Sequence, residues 1–99
     1  AKRSPDFPDV STLAEAGVPN QESEFIQALL VPAGTPKEIV NQLSREVARI
    51  VHLPDVTERL RAIGYVPVGN TPEEFAAIIK TDIAKWEKVI RDAGIKKIE

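Results

Sequence analysis

The 99-residue chain has a net charge of −2 with both signs scattered along it, and 42% of its residues are apolar. That size fits one domain with one modest core, and the apolar share excludes a disordered chain. Scattered charge excludes a clustered basic footprint for nucleic acid or anionic membrane. The absence of cysteine excludes disulfides, thiolate metal sites and cysteine nucleophiles.

The chain begins Ala1-Lys2-Arg3-Ser4-Pro5, with no hydrophobic stretch after the basic pair. No signal peptide is legible there, and no apolar run approaches the ~20 residues that span a bilayer. A mature product or a fragment is expected. Pro5, Pro8 and Pro19 make the opening stretch an extended or turning connector. Ser11 is placed to cap a short helix over Thr12 to Ala16, which Gly17 ends.

Glu24 to Val31 reads Glu-Phe-Ile-Gln-Ala-Leu-Leu-Val and runs into Pro32. A short apolar run with flanking Pro and Gly is expected to be a buried strand, with a buried helical turn as the alternative. Thr35-Pro36-Lys37-Glu38 has the form of a capping box. The helix after it sets Ile39, Leu43, Val47 and Ile50 on one face, widened by Val40 and Val51. Pro54 closes this helix and opens another, lined by Val56, Leu60 and Ile63 and ended by Gly64. Tyr65 to Val68 is β-prone, but Pro67 limits it to an edge strand.

Thr71-Pro72-Glu73-Glu74 is a second capping box and opens the longest helix. Its stripe is Phe75, Ile79, Ile83, Trp86 and Ile90, with Ile78 beside it. Gly94 and Ile95 are set for a Schellman end. The two Thr-Pro boxes are not a repeat, because the segments after them differ in length and stripe. Three main helices with one or two strands are expected. A lone strand leaves its backbone groups without partners, so the sheet is incomplete within this chain.

Chemistry-bearing constellations are sparse. His52, the only histidine, sits at a helix end, where a surface role outweighs a catalytic one. Glu87 with Arg91 is an ordinary helix-surface pair. The amides of Val31-Pro32-Ala33-Gly34-Thr35 precede a helix, but one Gly is too few for a phosphate cradle. Trp86 belongs to a core stripe more readily than to a ligand platform. Phe25, Ile26 and Gln27 are the candidate ligand-binding residues, since they enter the apolar run and ligands of open α/β sheets gather at strand ends. An outward Gln beside a packed Phe is the plainer alternative. No catalytic, metal or cofactor-binding set is present, so an enzyme is not expected.

Several segments, in order, carry a family resemblance: Lys2-Arg3-Ser4-Pro5 with Pro8-Asp9-Val10, Ala14-Glu15-Ala16-Gly17, and Pro32-Ala33-Gly34-Thr35-Pro36. Further along come Pro54-Asp55-Val56 with Arg59-Leu60, Gly64, Pro67-Val68-Gly69, Thr71 to Phe75, and Trp86 with Lys88-Val89-Ile90. Together they resemble the Bug (TctC-like) family of solute-binding proteins over essentially the whole chain.

The resemblance implies an α/β fold of two lobes closing on a ligand, about three times this length, with this chain as the C-terminal portion. It implies a connector after an inter-lobe crossover over residues 1–22 and part of the first lobe over residues 23–99. It also implies a periplasmic, cofactor-free receptor that hands a small carboxylate to membrane transporter subunits. Ile26 and Gln27 stand where the family often has an aromatic pair, Leu53 where an Asp is common before Pro54, and Ser11 where a Pro is common. Such a chain is expected to bind little alone. The rival expectation is a self-associating helical interaction module without a small-molecule ligand.

Overall fold

A computed structural model describes residues 2–98. The chain divides into two compact units, Ala1–Leu30 and Val31–Glu99. Regular structure is confined to the second unit: α1 (Lys37–Val51), α2 (Pro54–Ala62) and α3 (Pro72–Asp92). The three main helices stand where the apolar periodicity sets them.

In the first unit, a single helical turn forms in place of the expected Thr12 to Ala16 helix. Its cap is Thr12 rather than Ser11. The Glu15 amide donates to Thr12 Oγ1 at 3.2 Å, and the Thr12 amide donates to the Glu15 carboxylate at 2.9 Å. This is a reciprocal capping box, so the Thr-x-x-Glu spacing decides the cap. The turn closes with Gly17 N–H to Ala14 O and Val18 N–H to Leu13 O, the Schellman pattern.

No strand is assigned among the described residues. Residues 24–31, expected as a strand, run without helix or ladder and lie exposed, and Tyr65 to Val68 is likewise irregular. Strand structure requires a neighbour to take the backbone N–H and C=O groups. Among the described residues no second run pairs with residues 24–31.

In the second unit, α1 turns only part of its stripe inward. Val40, Ser44, Val47, Ala48 and Val51 are half-buried, whereas Ile39, Leu43 and Ile50 remain 41–48% exposed. The half-buried positions follow helical spacing and form the face on which α2 and α3 touch α1. Thr57 Oγ1 donates to Val51 O at 2.9 Å, so the first turn of α2 satisfies a terminal carbonyl of α1.

The loop between α2 and α3 approaches α1 closely at Gly69, which has φ +67°. A Cβ there would lie 3.1 Å from both Ala48 Cα and His52 Cε1. A side chain at position 69 would be strained at this left-handed φ and would press its neighbours back by a few tenths of an ångström. α3 opens on the full Thr71–Glu74 capping box and ends with Gly94 N–H to Arg91 O and Ile95 N–H to Ile90 O. Beyond its first turns the α3 stripe is open: Ile83, Trp86 and Ile90 are 44–54% exposed. Among the described residues no side chain is fully buried. The helices form from local signals and partial packing, without a closed core.

Candidate functional site

Phe25, Ile26 and Gln27 lie in the irregular stretch at the end of the first unit, all exposed, with Phe25 at 79%. Just before them, residues 12–24 wrap a hollow of about 170 Å³ lined by Thr12, Leu13, Val18, Asn20, Gln21 and Glu24 among others. Small-molecule sites run to roughly 300–1,000 Å³ and enclose most of their ligand. A carboxylate seated in this hollow would stay largely in water. The three candidate residues border it in sequence but do not line it.

The first unit does contain an ordered polar cluster that the sequence reading did not single out. Arg3 Nε donates to Glu15 Oε2 at 2.8 Å and Arg3 Nη1 donates to Pro8 O at 3.0 Å. The same Glu15 oxygen accepts the Thr12 amide. The Thr12 amide, then the Arg3 guanidinium, hold the Glu15 carboxyl below the usual carboxylate range. Every charge in this clasp is matched within the unit, so it organises residues 3–15 and offers no open charge to a substrate. The signal for part of it was legible, because Thr12 and Glu15 have capping-box spacing. Arg3, twelve residues from Glu15, left none.

Elsewhere the polar pairs sit on helix surfaces. Arg49 binds Glu46 at 2.9 Å, Lys88 pairs with Asp92, and Lys85 lies 5.3 Å from the Trp86 ring centroid. Such exposed pairs contribute little and imply no chemistry. His52 uses Nδ1 against Ala48 O at 2.9 Å, an attachment to its own helix, as its position at a helix end suggested. Among the described residues no group of three or more His, Cys, Asp or Glu is gathered to hold a metal, and no helix is long and apolar enough to cross a membrane.

Comparison with known proteins supplies what the geometry of this chain does not. A family described as "Tripartite tricarboxylate transporter family receptor" matches residues 1–95. An uncharacterised-family protein encoded in the tcbD-tcbE intergenic region of Pseudomonas sp. strain P51 is 36% identical over 89 residues, covering 89% of this chain and 26% of that protein. Protein BugT of Bordetella pertussis is 34% identical over 94 residues, covering 95% of this chain and 29% of BugT. A protein from the ttuE-ttuC' intergenic region of Agrobacterium vitis is 34% identical over 91 residues, 89% of this chain and 26% of its own length. The chain thus spans under a third of the curated relatives it matches. No solved structure matches.

Proposed function

The chain belongs to the tripartite tricarboxylate transporter receptor family, and from that premise we propose that it is a portion of a non-enzymatic, periplasmic solute-binding receptor. The receptor captures a small organic carboxylate and presents it to membrane transporter subunits. The observation that carries this reading is the family match, which runs through both units rather than resting on one motif.

The chain alone binds ligand poorly. The hollow over residues 12–24 is smaller than a small-molecule site, and the Arg3 and Glu15 charges of the same unit are already paired with each other. Residues 1–22 serve as the connector after a crossover between lobes, and residues 23–99 belong to the first lobe. Phe25, Ile26 and Gln27 reach the ligand only in a receptor of family length, where the Gln27 amide offers both a donor and an acceptor to a carboxylate.

Calorimetry tests this directly. Titrated with a dicarboxylate and a tricarboxylate, the isolated chain is expected to show dissociation constants weaker than about 1 mM. Micromolar binding would show that the site is complete within these residues and would overturn the reading. In a family-length receptor carrying this segment, Gln27→Ala is expected to weaken carboxylate binding about tenfold, the loss of roughly one hydrogen bond to a charged group. Unchanged affinity would remove Gln27 from the site.

A further inference from the structure

We propose that Arg3 is a positioning residue: its guanidinium fork closes residues 3–18 into a preformed joint, and that joint sets the path of the chain into Phe25, Ile26 and Gln27. What those three residues do rests on the receptor reading above. The joint itself rests on the geometry of this chain.

Apolar burial does not hold residues 3–18 together, since Phe7, Val10, Leu13 and Val18 stay 47–65% exposed. Among the described residues, the backbone bonds of this stretch are local turns: Phe7 N–H to Ser4 O, Val10 N–H to Phe7 O, Ala16 N–H to Thr12 O and Val18 N–H to Leu13 O. Each fixes one turn and leaves the angle to the next free. Arg3 ties the turns to one another. Its Nε reaches Glu15 at 2.8 Å across twelve residues, while Nη1 reaches Pro8 O at 3.0 Å. Glu15 in turn holds the Thr12 amide, so one side chain connects the opening turns to the capped one.

The fork matters more than the charge. Two N–H groups of one planar guanidinium point in fixed directions and meet a carboxylate and a carbonyl at once. An ammonium on a flexible stem carries the same charge without that fixed pair of directions. The two side chains are 44% and 47% exposed, so solvent screens their attraction and the fixed geometry supplies the order.

The joint reaches the candidate ligand residues through the chain that follows it. Asn20 stands at φ +60°, a left-handed conformation that Asn tolerates. Residues 20–24 then share a hollow with Thr12, Leu13, Ala14 and Val18. The capped turn is one wall of that hollow and residues 20–24 are the other. The direction in which Phe25 leaves is therefore referred back to the turn that Arg3 holds. Preorganisation of this kind raises affinity without any contact to ligand, because a site formed only part of the time binds in proportion to that fraction.

Arg3→Lys, which keeps the charge and removes the fork, is the test. In the free chain, backbone NMR order parameters over residues 5–18 are expected to fall from about 0.85 to below about 0.6, with those of α3 unchanged. Wild-type values in Arg3→Lys would mean that charge alone closes the joint, and would overturn the proposal. The second arm uses a family-length receptor carrying residues 1–99 in place of the matching portion of BugT. There Arg3→Lys is expected to slow dicarboxylate association about tenfold, with the dissociation rate and the binding stoichiometry unchanged, since the bound state is the same and only its preformed share falls. A purely structural role would lower the stoichiometry instead, by reducing the fraction of folded receptor. That outcome, or an unchanged association rate, overturns the positioning role. Glu15→Gln added to Arg3→Lys should cost little beyond the larger single effect, because both act through one clasp. Additive losses would separate the two residues and overturn it as well. A wild-type receptor that binds no dicarboxylate or tricarboxylate removes the receptor reading and with it the ligand role of Arg3, while the order parameters still decide the joint.

Discussion

Thr35-Pro36-Lys37-Glu38 and Thr71-Pro72-Glu73-Glu74 have the same helix-starting pattern, and only the second works as written. At α3 the Glu74 amide donates to Thr71 Oγ1 at 3.2 Å and the Thr71 amide donates to Glu74 Oε2 at 2.8 Å, with Pro72 as the first helical residue. At α1 the helix starts one residue later, on Pro36, with no side-chain cap. Thr35 is committed backward. Its amide donates to Pro32 O at 3.2 Å, and its hydroxyl donates to the same oxygen at 2.7 Å. The turn that holds it passes through Gly34 at φ +84°, where a residue with a side chain is strained. Capping needs the hydroxyl oxygen as an acceptor, and the rotamer in which Thr35 donates to Pro32 O leaves that oxygen without a bond from the α1 amides. The lesson is that a capping box needs the preceding residues to leave its Thr free.

The largest effect is expected from Gly34→Ala. Left-handed φ costs a residue with a Cβ about 1–2 kcal/mol, so the 32–35 turn should open and the Thr35 amide should exchange about tenfold faster. The released hydroxyl should then cap α1, slowing exchange at Glu38. An unchanged Glu38 amide would show that something other than the turn withholds the cap. Next comes Thr71→Ala, expected to cost α3 about 1 kcal/mol and to speed exchange at Glu74 about fivefold, with Thr71→Asn holding the native rate. Thr35→Ala is smaller, about 0.5 kcal/mol through the lost turn bond, with no effect at Glu38. Equal losses from Thr35→Ala and Thr71→Ala would erase the contrast between the two helix starts.

The third Thr-x-x-Glu pair, Thr12 and Glu15, extends the comparison by pH. The folded carboxyl of Glu15 titrates below an ordinary Glu because it accepts from the Thr12 amide and from Arg3. Its contribution is therefore complete above the ordinary Glu value and is lost as pH falls through the lower, folded one. The Thr12 amide and Arg3 Nε resonances should shift together over that acidic window, and Glu15→Gln should flatten the change. Independent titration of the two resonances would mean that the clasp is not one unit.

The helices were legible because their signals are local. Apolar residues at helical spacing, Pro at a first helical position, and Gly94 followed by Ile95 each act within a few residues, and all three helices stand where those marks set them. The cap at residues 11–12 was misplaced because Ser11 and Thr12 are both good caps, and only Glu15, three residues beyond Thr12, separates them. The rotation of the α1 face was not legible. Ile39 and Val40 are equally apolar, and which turns inward depends on where α2, α3 and the Gly69 loop touch the helix. Phe25 to Gln27 owe their candidacy to the entry of an apolar run, and among the described residues no strand forms there.

The sequence by itself determined where the three main helices lie to within about a residue, and to which family the chain belongs. These follow from short-range periodicity, hydrogen bonding within a turn, and the order of motifs. Tertiary structure decided which half of the α1 stripe is covered, that position 69 is crowded by Ala48 and His52, and that Arg3 closes on Glu15. Each of those outcomes is a choice between near-equal local options, settled by the atoms that arrive from elsewhere in the chain.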